Sequence, residues 1–235
     1  MSTPPWSAPP LWLAHLQLLD SAFPIGGFSH SFGLETVVQS GQVHDAASLR
    51  QYAETLLHEV WATSDAVVVV GVHRFAEAAR WGDLWCLDQL LHASRAARET
   101  REGQQKMGRQ LLRLASAMYP ELHWAPLQDA IARRGAIGTH ATVYGWTTWQ
   151  LGIGSDHAAE GYLYGCLITT MNTAVRLLVV GQTQAQTLLA NLLPEIAAAR
   201  QKAADLDPFD FHTAAPATEI AMMSHETLNS RLFMS

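Results

Sequence analysis

Chemistry in this 235-residue chain would have to come from its 11 histidines, from the cluster Ser29-His30-Ser31, or from carboxylates set at helical spacing. A metal hydrolase of the HExxH type places two histidines on one helix face, so that both imidazoles reach one ion. HEVWA at His58 and HETLN at His225 each lack the second histidine. GFSHS at Gly27 is not the GxSxG of a nucleophile elbow, and Gly26-Gly27 is not followed by the GK[ST] that grips a phosphate. Glu99 and Glu102 share a helix face, but Arg95, Arg98, Arg101, Lys106 and Arg109 surround them. A general acid needs a raised pKa, and flanking arginines oppose that. These residues predict neither catalysis nor a stably bound cofactor or metal. The competing reading is a helical enzyme with a dispersed site around His30, Glu35 and His140.

His30 stands apart from the other histidines because of its surroundings. The stretch Leu16–Glu35, LQLLDSAFPIGGFSHSFGLE, begins as a helix and then meets Pro24, Gly26 and Gly27. Proline fixes its own φ and pushes the preceding residue out of the helical region. The glycine pair can adopt φ > 0 at no steric cost. A tight, shaped turn follows, with Phe23, Ile25 and Phe28 available to pin it to a core.

The elements that would position these groups are helices. Asp45 is placed to cap a helix carrying Leu49, Ala53, Leu56, Val60 and Trp61 at three- and four-residue steps. Ser64 or Asp65 opens the next, to Ala79. Its run Val67–Val70 resembles a buried strand but has no partner strand nearby. Further helices are expected from Asp83, from about Ser94 to Met118, from Pro126 to Arg134, and over Thr139–Leu151, Asp156–Val180 and Thr183–Ala204. Pro194 would kink the last of these. Asp205–Pro216 reads as an acidic, aromatic loop before a helix from Thr218 toward Leu228. The chain is expected to be all-α, about ten helices without significant sheet. Its expected organisation is a flexible Pro-rich start (1–10) and one domain (11–235) ending in a docking tail (about 205–235).

Composition bounds the partners. Hydrophobic residues make up 49% and charged residues 15%, well under the roughly 25% charged that is usual. Apolar surface is therefore expected for protein partners or self-association. A net charge of −6 argues against a nucleic-acid binder. Cys86 and Cys166 form no metal or disulfide pattern. No basic region precedes the first apolar stretch, and Tyr162–Val180 is too polar to span a membrane. A cytoplasmic protein is expected.

Two segments look suited to partners. Between Arg95 and Arg113, six cations stand against two anions, with Met107, Leu111, Leu114 and Met118 as the expected buried face. The charges left outward would form either a solvated face or a docking surface for an acidic partner. The C-terminus crowds Met222, Met223, Leu228, Leu232, Phe233 and Met234 together, with Arg231 able to fork onto a carboxylate. It would pack on its own domain or order against a partner.

DSAFPIGGFSHSFGLE closely resembles the N-terminal signature of the UreF family of urease accessory proteins. Arg98-Glu99-Thr100-Arg101 with Met107–Leu112, His140–Gly145, Arg176-Leu177 with Gly181-Gln182, and Glu219–Ser235 are similar to later blocks in the same order. The resemblance implies an all-α homodimer that is not itself an enzyme. Such a protein binds UreD (UreH in some systems), recruits the GTPase UreG to the urease apoprotein, and couples GTP hydrolysis to nickel delivery. Nickel would pass in transit, with His30 as the one candidate on its route; a chaperone holding nickel through histidines is the alternative. By the same resemblance, Phe28, Ser29, His30, Ser31, Gly33 and Glu35 would form a shaped surface. Arg98, Glu99, Arg101 and Arg109 would lie on a charged helix. Glu219, Met222, His225, Glu226, Ser230, Arg231, Leu232 and Phe233 would dock UreD/UreH.

Overall fold

The computed structural model describes residues 9–234. Most of the expected flexible start, and Ser235, lie outside them. Among the described residues there are eleven α-helices and no strand. In order they are α1 Leu11–Leu19, α2 Leu34–Gln39, α3 Ala46–Leu56, α4 Asp65–Glu77, α5 Trp81–Ser94, α6 Arg98–Met118, α7 Ala125–Ala132, α8 His140–Leu151, α9 Ser155–Arg176, α10 Gln182–Asp205 and α11 Pro216–Ser224.

Local chemistry explains several boundaries. The Asp45 side chain accepts from the Ser48 N–H at 2.8 Å, and Ser48 Oγ accepts from the Asp45 N–H, a reciprocal cap for α3. Pro126 sits in the first turn of α7, where its missing N–H costs nothing. Two expected starts are corrected. Asp83 does not open α5; the helix begins at Trp81, and Asp83 pairs with Arg80 behind it at 2.7 Å. Ser94 closes α5 instead of opening α6, which starts at Arg98 once the chain has turned through Arg95. The buried face of α6 also differs, because Gly103, Gly108, Leu112 and Ala115 line it and Leu114 and Met118 are only half covered.

The run Val67–Val70 forms the middle of α4, which packs against α5, α8, α9 and α10. It separates two apolar clusters. Val67 joins the one built on α3, α9 and α10, while Val68, Val69 and Val72 join the one on α1, α5, α6 and α8. This central burial is why α4 is apolar all round from Ala66 to Val72. The helical stretch Ala46–Glu77 is long and apolar enough to cross a membrane, but 83% of its most apolar window is buried inside the protein. Pro194 lies within α10 without ending it. The acidic, aromatic segment after α10 is tied down: the backbone N–H groups of His212 and Ala214 donate to Thr63 and Glu59 carbonyls, each at 2.8 Å. Pro208 closes over Gly71 of α4, where an added Cβ would come within 3.0 Å of the ring.

Candidate functional site

Three segments far apart in sequence meet at one edge of the bundle: the turn Phe23–Gly33, the start of α6, and the residues after α11. The turn has the conformation its composition requires. Gly26 has φ +88°, and Gly33, which opens α2, has φ +87°. A side chain at Gly33 would be strained by the positive φ and crowded, because a Cβ there would sit 3.1 Å from Met222 Cγ and 3.3 Å from the Tyr52 hydroxyl. Tyr52 in turn donates to the Phe32 carbonyl at 3.3 Å. The turn is thus clamped between α3 and α11.

His30 lies with its ring against Gly103 of α6, where a Cβ would come within 2.8 Å of Cε1. Only glycine lets the imidazole approach so closely. His30 Nδ1 donates to the Met234 carbonyl at 2.9 Å, and the Met234 N–H donates to the Ser29 carbonyl at 2.7 Å. The C-terminal residues therefore lie along the turn. Arg176, at the end of α9, places its guanidinium 4.8 Å from the Phe28 ring centre and 4.2 Å from that of Phe233. Such cation–π contacts hold best with a planar, weakly hydrated guanidinium.

An ionic cluster lies beneath. His225 is fully buried, with Nε2 2.9 Å from Glu35 Oε2 and Nδ1 2.9 Å from Glu99 Oε2. Glu35 is 1% exposed and also accepts the N–H groups of Leu232 at 2.7 Å and Phe233 at 3.2 Å. Arg231 donates to Glu99 Oε1 at 3.0 Å, and Arg98 to Glu226 at 2.9 Å. Burial works against the charge on Glu99, but the hydrogen bonds and charges of His225 and Arg231 outweigh it and hold its carboxyl below the ordinary value.

A second polar group is set deeper. Arg95, counted among the cations of the charged helix, is buried and donates to Asp65 and to Ser64, with Glu219 at 3.7 Å. The reason is its place between α5 and α6, where the chain turns inward and Asp65 supplies the opposite charge. Asp65 and Arg95 sit on the wall of a mostly apolar cavity of about 560 Å³, together with His140, Tyr144, Tyr162 and Cys166. Burial pushes the His140 imidazole down to about 4 and the Cys166 thiol well up.

The structure brings together most of the residues singled out in sequence, in two roles. His30, Ser31, Gly33, Glu35, Met222, His225 and Phe233 are inside the chain and form the junction itself. Phe28, Arg98, Arg109, Ser230, Arg231 and Leu232 are exposed, and Ser29, Glu99, Arg101, Glu219 and Glu226 are partly so. Arg101 is occupied by the carbonyls of Arg95 and Ala96. The dispersed enzyme site is not assembled: His140 lines the large cavity, His30 lines a separate charged cleft with Arg98, Glu102 and Lys106, and Glu35 lines neither. Among the described residues no three histidines, cysteines or carboxylates are grouped to hold a metal ion. Sequence reasoning missed Arg176, Gln39 (which donates to the Ser230 carbonyl at 2.8 Å) and the Asp65–Arg95 pair. For Arg176 the available signal was its position in the last turn of α9, as the one charged residue after Glu160 in that helix.

Exposed apolar residues stand beside these exposed polar ones. Phe28, Leu232 and Met234 lie over the turn, and Ile220 and Met223 stand three apart on α11. The arrangement can bind; His225, Glu35, Glu99, Arg231, Arg98 and Glu226 are already occupied by one another.

Comparison with known proteins agrees in extent with these features. A family model described as UreF matches residues 43–193, well over half of the chain. The chain is 34% identical to a urease accessory protein UreF of Lachnoclostridium phytofermentans, over 94% of this chain and 96% of that protein. It is 33% identical to the UreF of Corynebacterium efficiens over 95% of this chain and 96% of that protein. With the UreF of Bacillus sp. (strain TB-90) it shares 32% over 95% and 98%.

Proposed function

The chain belongs to the UreF family of urease accessory proteins, and on that premise we propose that it is a cytoplasmic, non-catalytic scaffold for urease maturation. The surface formed by the Phe28 turn, α11 and the residues up to Met234 binds UreD/UreH. The complex recruits the GTPase UreG to the urease apoprotein, and nickel is handed on as cargo. The chain acts as a homodimer in this reading. The observation that carries it is the exposed apolar rim of Phe28, Ile220, Met223, Leu232 and Met234 set on a tightly built ionic base. Exposed apolar groups that cluster on a rigid support are what a protein interface needs at its centre. A scaffold of this kind can shift the GTPase between states only by the difference in its affinity for them.

Light scattering coupled to size-exclusion chromatography tests the reading, with the chain alone and mixed with cognate UreD/UreH and UreG. A dimer that takes up UreD/UreH, and UreG thereafter, supports it. A chain that ignores both folded partners, or that loses no UreD/UreH when Ile220 and Leu232 are changed to Asp, overturns it.

A further inference from the structure

His225 sits between two acceptors. Both of its ring nitrogens lie 2.9 Å from carboxylate oxygens, one from Glu35 on α2 and one from Glu99 on α6. A neutral imidazole carries one N–H and can satisfy only one of them. The carboxylates cannot readily supply the missing proton. Both oxygens of Glu35 already accept backbone N–H groups, from Leu232 and Phe233, and the other oxygen of Glu99 accepts from Arg231. Each of these oxygens therefore already acts as an acceptor. Among the described residues no other cationic side chain lies in contact with Glu35, so the group positioned to compensate it in this dry position is the His225 ring.

We propose that His225 is a proton-dependent latch: as imidazolium it ties α2 to α6 and, through Glu35, holds Leu232–Met234 on the Phe28 turn, and loss of its proton frees these residues. The charged groups that face it are Glu35, Glu99 and Arg231, with the Arg98–Glu226 pair next to them. With the ring charged, Glu35, Glu99, Arg231 and His225 sum to zero. With the ring neutral, one carboxylate faces a nitrogen lone pair and the buried group carries a net negative charge. Glu35 then loses its ionic partner, and the two backbone N–H groups that lean on it lose their anchor. Freed residues would uncover the cleft lined by His30, Glu102 and Lys106, which Phe233 and Met234 now wall. The inference stands on the geometry of the cluster and is independent of the maturation role.

The test uses the full chain alone, so its outcome does not depend on any urease partner. Nitrogen-15 NMR reads the protonation of the His225 ring, and amide hydrogen exchange reads Leu232 and Phe233 from about pH 6 to about pH 9. Exchange is corrected for its intrinsic base catalysis. The expected result is two ring protons at neutral pH. Protection of both amides then falls by up to about tenfold per pH unit between the pH at which the freed ring loses its proton and the pH at which the latched ring does, as linkage of one proton requires, while amides in α4 stay protected. His225→Gln, which cannot be charged, should show low protection that does not vary with pH. A singly protonated ring at neutral pH with both amides protected overturns the latch, as does H225Q with wild-type protection. If H225Q does not fold, the wild-type pH series decides alone.

Discussion

Replacing Arg95 with methionine takes a guanidinium out of a pocket where it is 5% exposed and its partner Asp65 is 2% exposed. Methionine fills much of the same volume, so the change isolates charge from packing. Two buried carboxylates lose their cation, because Glu219 faces the same guanidinium at 3.7 Å and, among the described residues, has no other partner for either oxygen. Removing one member of a buried ion pair costs about 3–5 kcal/mol. For a chain of this size that lowers Tm by roughly 6–20 °C. Asp65→Asn should be milder. It leaves the guanidinium with Glu219 and Ser64, and a cost of about 1–3 kcal/mol is expected for the weakened hydrogen bonds. The double variant should be more stable than R95M alone, with a coupling of about 1–3 kcal/mol, since the carboxylate that R95M strands on Asp65 is gone. Urea denaturation followed by far-ultraviolet circular dichroism measures all four proteins. A cost below about 1 kcal/mol for R95M, or strictly additive single changes, would refute the assignment of Asp65–Arg95–Glu219 as a coupled buried triad.

Four further outcomes follow from the same geometry. Gly103→Ala puts a methyl group 2.8 Å from the His30 ring; overpacking of about 1–3 kcal/mol against about 1 kcal/mol of gained helix propensity leaves a small net loss of stability, with displaced His30 and Met234 resonances as the readout. Glu99 is held below its ordinary 4.5, with burial opposed and outweighed by His225 and Arg231. Its stabilisation is therefore complete above about 4.5 and is lost as pH falls through the lower folded value, so E99Q should flatten the acid limb of a stability–pH curve while an unchanged limb would discount the cluster. Cys86 is exposed, whereas burial, with Asp65 nearby, raises the Cys166 thiol; a thiol reagent should label one cysteine in the folded chain and the second only in denaturant. Deleting Asn229–Ser235 removes no residue of a helix among those described, so helicity should persist while UreD/UreH binding is lost; a collapse of helicity would make these residues part of the core.

Much of the architecture could be read before any fold was known, and the reasons are local. Asp45 with Ser48 three residues on is a cap whose two hydrogen bonds close within a single turn. Val67–Val70 could be assigned to a helix because no second strand was available, and a central, wholly buried helix is where such a run belongs. The misplaced helix starts treated Asp83 and Ser94 as opening caps, whereas Asp83 pairs back to Arg80 and Ser94 Oγ donates to the Leu91 carbonyl at the end of the preceding helix. For Arg95 a distant partner, Asp65, determined where the side chain went.

The sequence by itself determined the helices, the shaped turn at Pro24–Gly33 and the family, because caps, periodicity and an ordered set of motifs are properties of neighbouring residues. Tertiary structure alone decided what those motifs do. His225 finds Glu35 190 positions away and Glu99 126 positions away, and Arg176 reaches Phe28 and Phe233 from opposite ends of the chain. A buried charge is stable only where its counter-charge arrives, and no spacing along the chain encodes that meeting.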